Sequence, residues 1–151
     1  MNQFLNNAKE ELKRVDHLVY VSLKYTRTVD VIRNIIQRII SSFDFAIQSL
    51  LEYAKENKLI DSYPSSPGLR CELLKKIYNN EELNIYLDFY TLLRGINRAD
   101  FSKREEYRRH VTMIVTLQNG NIIEIKIDTL HEYFNKLKEF LKLVESIIKN
   151  D

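Results

Sequence analysis

Arg104 and His110 are the two side chains of this sequence whose types and spacing best suit chemistry. Histidine transfers protons near neutral pH, and an arginine guanidinium is a permanent cation that can hold a phosphate through two contacts. Together they suit metal-independent phosphodiester cleavage, in which a ribose 2′-hydroxyl attacks the adjacent phosphate and the arginine stabilises the developing charge. The alternative is that His110 begins a strand and fills a polar position there.

This pair lies in the most cationic part of the chain, residues 94–110, where six lysines and arginines accompany three carboxylates. Phe101 and Tyr107 are interspersed among the charges, and single-stranded nucleic acid needs cations for its phosphates and flat faces for its bases. The candidate nucleic-acid-binding residues are Arg94, Arg98, Lys103, Tyr107, Arg108 and Arg109. The alternative is a solvated short helix in which Glu105 and Arg109 form an i, i+4 ion pair.

A long amphipathic helix is predicted near the N-terminus, because the first sixty residues contain neither glycine nor proline. Their apolar residues form one stripe at helical spacing that keeps its phase from about residue 13 to 58. One helix of that length would measure about 65 Å, more than the diameter of a compact domain of this size. A break at 26–28, with two nearly coaxial halves, is therefore the alternative to a single helix.

Three shorter helices are predicted after the loop at 61–68, which holds both prolines. Pro67 at the first helical position begins a helix that continues to about Tyr78. Glu81 and Glu82 begin the next helix, which fades near residues 95–97, and a short helix follows over 101–109.

The periodicity then changes to that of β-structure. Branched residues from His110, the dipeptide Asn119-Gly120 and an alternating isoleucine pattern predict a β-hairpin over about 110–127. Thr129 and Glu132 have the spacing of a capping box, which predicts that the last helix begins at 128–129 and continues to about residue 149. We therefore expect a mainly α protein, a single helical-bundle domain over 1–151 with one inserted hairpin before the C-terminal helix.

Composition excludes several classes of site. Three glycines are too few for a glycine-rich phosphate cradle, and no nucleotide fingerprint is present. One cysteine excludes an intramolecular disulfide and a cysteine-based zinc site, and the three histidines lie far apart, so we expect neither a metal nor a cofactor. No run of 18 apolar residues and no signal-peptide pattern occurs, so we expect a cytoplasmic protein that does not enter a membrane.

A helical domain of this size with an Arg-x5-His motif late in the sequence resembles the HEPN superfamily. The resemblance implies a compact α-helical fold, frequent dimerisation and, in active members, metal-independent endoribonuclease activity at a site shared across the dimer. It would make Arg104 and His110 the catalytic residues. Where that family commonly has Asn, Asp or His after the arginine, this chain has Glu105.

Two functions from different classes remain open on these grounds. The first is an RNA-directed, HEPN-like protein. The second is a non-enzymatic helical module that binds a protein partner through a tyrosine-rich or hairpin surface, since tyrosine is favoured at interfaces. Exposed hairpin edges and an over-long helix both favour self-association, so we expect a homodimer.

Overall fold

A computed structural model of the chain describes residues 3–149. Five helices and one small sheet follow in chain order. The helices are α1 (Gln3–His17), α2 (Val29–Glu56), α3 (Pro67–Tyr78), α4 (Glu81–Arg98) and α5 (Ile127–Lys149). The strands are β1 (Asp100–Arg104), β2 (Thr112–Thr116) and β3 (Ile122–Ile125). The predicted class, a mainly α bundle with a hairpin before the last helix, is confirmed.

The predicted long helix is two helices that fold back on each other, so both the single helix and the coaxial halves are wrong. The break lies where the β-branched residues indicated it, with Thr26 and Thr28 in extended conformations. The hydroxyl of Ser42 donates to the carbonyl oxygen of Ala8 at 2.8 Å, which places the middle of α2 beside the first half of α1. Each helix presents its own apolar stripe to the other, so a stripe that keeps its phase along the sequence does not exclude a reversal of the chain.

The connection between α1 and α2 is irregular over more than the three-residue break. The chain forms a π-helical turn over Leu18–Ser22 and one short α-turn over Leu23–Tyr25 before it reverses. The hydroxyl of Thr28 accepts from the backbone N–H of Val31, which caps α2.

Helix α2 is the centre of the molecule, and an aromatic cluster joins it to its neighbours. The ring of Phe43 stacks on that of Phe140 from α5, with centroids 4.5 Å apart, and on that of Tyr90 from α4 at 5.6 Å. All three side chains are buried. Offset stacking of this kind adds to the free energy gained by burying the rings.

The sheet is a three-stranded antiparallel meander in the order β1-β2-β3, so the predicted hairpin has an additional strand. The helix predicted over 101–109 is wrong: Asp100–Arg104 form β1, paired with β2 from Asp100↔Thr116 to Arg104↔Thr112. Only Phe101 of this strand is partly buried, and its charged residues are typical of an edge strand that avoids further pairing.

The turn at Asn119-Gly120 is a three-residue loop rather than the predicted two-residue turn. Leu117 donates to the carbonyl of Asn121, and Gly120, at φ +89°, is the left-handed residue that closes the loop. Helix α5 also begins earlier than predicted, at Ile127, with Thr129 accepting from the backbone N–H of Lys126.

Candidate functional site

The structure divides the basic segment between the two ends of β1. Arg94 and Arg98 lie on the last turns of α4, before the strand begins. Lys103 and Arg104 end the strand, and the remaining candidates follow in the loop 105–111, here named the Tyr107 loop. Five residues of strand span about 16 Å, so the two groups cannot share one small ligand.

The Tyr107 loop has a strained backbone. Glu105 has φ +54° and Tyr107 has φ +67°, the left-handed region that bulky residues rarely adopt. Such conformations persist only where surrounding contacts impose them, and they cluster at functional sites.

Two hydrogen bonds to the α1–α2 connection impose this conformation. The backbone N–H of Tyr107 donates to the carbonyl of Arg27 at 2.6 Å. The carboxylate of Glu106 accepts from the backbone N–H of Val29 at 2.9 Å, so it satisfies one free donor at the start of α2. A negative charge there also complements the helix dipole. The loop is therefore held at the point where the chain reverses.

This attachment directs polar and aromatic side chains outwards. Tyr107 is 78% exposed, and Tyr25, two residues before Arg27, is 79% exposed. Arg108, Arg109 and His110 are also exposed. We name these five residues the Tyr107 surface. Beside it, the Nε atom of Arg27 is buried and has no hydrogen-bond partner among the described residues.

Two cations next to this surface are already paired with carboxylates. Arg104 forms an ion pair with Glu124 across the sheet at 3.0 Å, and Lys103 lies 3.9 Å from the carboxylate of Glu106. The pairing with Arg104 holds the pKa of the Glu124 carboxyl below its ordinary value. No ion pair joins Arg108 or Arg109 to a carboxylate in the part of the chain that the structure describes.

The two candidate catalytic residues flank the Tyr107 loop. Arg104 is the last residue of β1, and its register partner Thr112 is two residues after His110. His110 lies in the turn before β2 rather than in the strand itself, and its carbonyl accepts from the Thr112 hydroxyl at 2.8 Å. The histidine is thus free to face solvent, whereas the guanidinium of Arg104 is bound to Glu124.

Two adjoining cavities lie at the other end of β1. The smaller, of about 250 Å³, is lined by Arg94 and Arg98 and by the first residues of α3. The larger, of about 610 Å³, lies between α4 and the β2–β3 turn. The two cavities adjoin, because Thr91 and Arg98 line both of them. The sequence indicated Arg94 and Arg98 as binding residues but not the cavities, because the other walls come from segments far apart in the chain.

Burial shifts the pKa values of ionisable groups near the smaller cavity. Desolvation raises the pKa of the Asp44 carboxyl, against the hydrogen bond that it accepts from the hydroxyl of Tyr90. Desolvation also raises the pKa of Tyr90 above its ordinary value and that of the Cys71 thiol to about 11. A thiol with that pKa is protonated at neutral pH, so Cys71 is a buried apolar residue rather than a nucleophile.

Other site classes are not found among residues 3–149. No group of three or more His, Cys, Asp or Glu side chains there could hold a metal ion. No helix in the same range combines the length and apolar character needed to cross a membrane. Comparison with protein-family models, curated proteins and solved structures gives no match for this chain.

Proposed function

We propose that the protein binds single-stranded RNA through the Tyr107 surface. The observation that carries the proposal is the left-handed backbone of Tyr107, held by the Arg27 carbonyl so that the ring is exposed. The exposed ring gains little free energy from burial, and the backbone strain costs about 1 kcal/mol or more. A binding role for the ring accounts for that cost.

The chemistry around the ring suits a nucleic acid strand. Tyr107 and Tyr25 offer flat faces on which unpaired bases can stack, a contact that is worth about 1–3 kcal/mol per base. The unpaired guanidiniums of Arg108 and Arg109 are available to phosphates.

Two glycine variants separate RNA binding from folding. Tyr107→Gly removes both the ring and the backbone strain, but glycine also gains conformational freedom in the unfolded chain. The two effects on the free energy of unfolding, each about 1 kcal/mol, should nearly cancel, while RNA binding weakens about tenfold. Glu105→Gly relieves the same kind of strain and leaves the ring in place, so we expect it to bind RNA at least as tightly as the wild type. Fluorescence anisotropy with a labelled single-stranded oligonucleotide measures binding, and urea denaturation measures stability.

Salt dependence tests the phosphate contacts independently of the ring. Replacing Arg108 and Arg109 together by alanine should reduce the slope of log K against log salt by about 1.4, since each single-strand phosphate contact contributes about 0.7. Lys142→Ala, a cation on α5 that is paired with Glu139, is the matched control and should leave the slope unchanged.

Equal binding by wild type, Tyr107→Gly and the double arginine variant would overturn the proposal. If this surface captured a protein partner and no RNA, the interaction-module alternative would replace it.

Cleavage of RNA, as the HEPN resemblance implies, is a further step that depends on Arg104 and His110. Dimerisation likewise stays a prediction, and with the long helix broken it depends on the exposed strand edges.

A further inference from the structure

We propose that the two adjoining cavities between α3, α4 and the β2–β3 turn bind a sugar phosphate such as a nucleotide. The phosphate would occupy the smaller cavity, and the sugar with its substituent would occupy the larger one. This proposal does not rest on RNA binding by the Tyr107 surface, because the two sites have no residue in common.

The smaller cavity is lined by two arginine side chains that form no ion pair among the described residues. Arg94 and Arg98 are one helical turn apart on α4, so both side chains project from the same face of the helix. Guanidinium groups bind phosphate through two parallel hydrogen bonds, which makes an anion of that geometry the natural occupant.

The facing wall adds backbone donors. Ser66 and Gly68, at the start of the 12-residue helix α3, line the same cavity as the two arginines. The Ser66 side chain makes no capping bond, and the first helical amide that bonds within α3 is that of Arg70. A β-carbon built on Gly68 meets nothing within 4 Å, so the backbone there is open to a ligand. Pro67 has no N–H, so the Gly68 amide is the helical donor that lines the same cavity as the two arginines.

The nearby carboxylates define where the anion can lie. Asp44 does not line the smaller cavity: it accepts from the hydroxyl of Tyr90, and the Tyr90 ring lies 5.9 Å from the Arg94 guanidinium. The charge of Arg94 still acts on this carboxyl and lowers its pKa against desolvation. Asp100 lines the larger cavity instead. The smaller cavity, lined by two arginines and no carboxylate, therefore suits a phosphate better than the larger one, where Asp100 opposes Arg98.

The larger cavity suits an uncharged body that carries hydroxyl or amino groups. Its volume of about 610 Å³ is within the range of small-molecule sites. Asp100 can accept hydrogen bonds there, and the amides of Gln118 and Asn119 can both donate and accept. The aliphatic side chains of Leu92 and Leu117 contribute apolar surface. Phosphate at one end and hydrogen-bonding groups at the other are the features of a sugar phosphate.

Isothermal titration calorimetry on the full chain tests the proposal with three probes: AMP, inorganic phosphate and adenosine. We expect AMP to bind most tightly, phosphate to compete with it, and adenosine to bind at least tenfold more weakly than AMP. Absence of AMP binding, or equal binding of AMP and adenosine, would overturn the proposal.

Two aspartate substitutions in the first turn of α3 separate ligand binding from folding. Gly68→Asp adds a carboxylate at a residue that lines the smaller cavity, so it should weaken AMP binding at least tenfold, yet a negative charge in the first helical turn favours the fold. Leu69→Asp adds the same charge at a side chain that is 52% exposed and lines neither cavity, so it should bind AMP within threefold of the wild type. If Gly68→Asp keeps its melting temperature and still binds AMP like the wild type, the assignment of the site is wrong.

A reciprocal pair of arginine variants locates the phosphate. Arg98→Ala should lose at least tenfold in AMP affinity, whereas Arg109→Ala on the Tyr107 surface should lose none. An RNA oligonucleotide with a 5′-phosphate, compared with its 5′-hydroxyl form, identifies the source of the phosphate. Because an oligonucleotide also binds the Tyr107 surface, the result that matters is the affinity gained from the 5′-phosphate. A gain that Arg98→Ala abolishes assigns an RNA end, whereas AMP binding without such a gain assigns a free nucleotide. Equal effects of Arg98→Ala and Arg109→Ala on AMP binding contradict the proposed site.

Discussion

The two ends of β1 carry basic groups in opposite physical settings. At one end the cations surround an exposed loop whose backbone is strained, and two of them are neutralised by Glu106 and Glu124. At the other end, Arg94 and Arg98 project from a regular helix into a cavity and have no paired carboxylate among the described residues. The open surface suits a polymer that extends beyond it, and the concave site suits a ligand of limited size.

The largest expected loss of stability comes from a substitution in the aromatic core. This variant also tests whether the two sites respond separately to a change in the core. Phe43→Ala removes the ring that stacks on Tyr90 and Phe140, and it should lower the free energy of unfolding by about 4 kcal/mol. Tyr90 lines the smaller cavity, so AMP binding should weaken more than RNA binding at temperatures where the protein stays folded. Urea denaturation and parallel titrations measure this, with Phe43→Leu as the milder control. Equal weakening at both sites would show that they are one cooperative unit.

The next effect tests whether the exposed end is catalytic. If the loop cleaves RNA, as the HEPN resemblance implies, His110→Ala and Arg104→Ala should each reduce cleavage about 100-fold or more with EDTA present. Arg98→Ala, at the other end of β1, should cleave like the wild type. Intact RNA in every sample, the wild type included, would exclude nuclease activity and leave only binding.

A smaller effect is expected from detaching the loop. Glu106→Ala removes the carboxylate that accepts from the Val29 amide, and loss of such a cap costs about 1–2 kcal/mol. The Val29 amide should then exchange with solvent faster, and RNA binding should weaken, while AMP binding is unchanged. Hydrogen exchange and urea denaturation measure the two effects. Protection of Val29 at the wild-type level would contradict the capping role.

The smallest effects are expected in the pH dependence of stability. A carboxyl near one end of β1 should lower stability as pH rises, and a carboxyl near the other end should raise it. Burial raises the pKa of the Asp44 carboxyl in the folded state, so this group stabilises the fold when it is protonated, fully so below pH 3.8. That stabilisation is lost as pH rises through the raised pKa. Asp44→Asn should remove that decline. The ion pair with Arg104 lowers the pKa of Glu124, so its contribution is present above 4.5 and is lost as pH falls through the lowered value. Glu124→Gln should remove that loss, and urea denaturation across acidic pH measures both.

The sequence correctly predicted the helices and strands whose signals come from residues close together in the chain. Pro67 at the first helical position correctly predicted the beginning of α3, and Glu81 correctly predicted that of α4. Branched residues predicted β2 and β3, because alternation is visible where one face is buried. Strand β1 could not be predicted in this way, since Phe101 is its only partly buried residue and its charges fit a helix equally well.

The candidate site was predicted in composition but not in arrangement. The segment from Arg94 to His110 was identified as basic, yet a strand in its middle separates the cations into two sites. The contact between Tyr107 and Arg27 joins residues eighty positions apart, and no periodicity encodes it. The fold-back of α1 on α2 was missed for a related reason, because an apolar stripe does not specify which surface it faces.

The bond between Glu106 and Val29 also leads to an expectation about the order of folding. The two residues it joins are separated by 77 positions, so it can form only after a long loop has closed. The helical hairpin of α1 and α2 needs only nearby contacts, and such contacts form early. We therefore expect helix α2 to acquire this acceptor at its N-terminus after the helical hairpin has formed, when the sheet docks. The Tyr107 surface would then be completed late in folding.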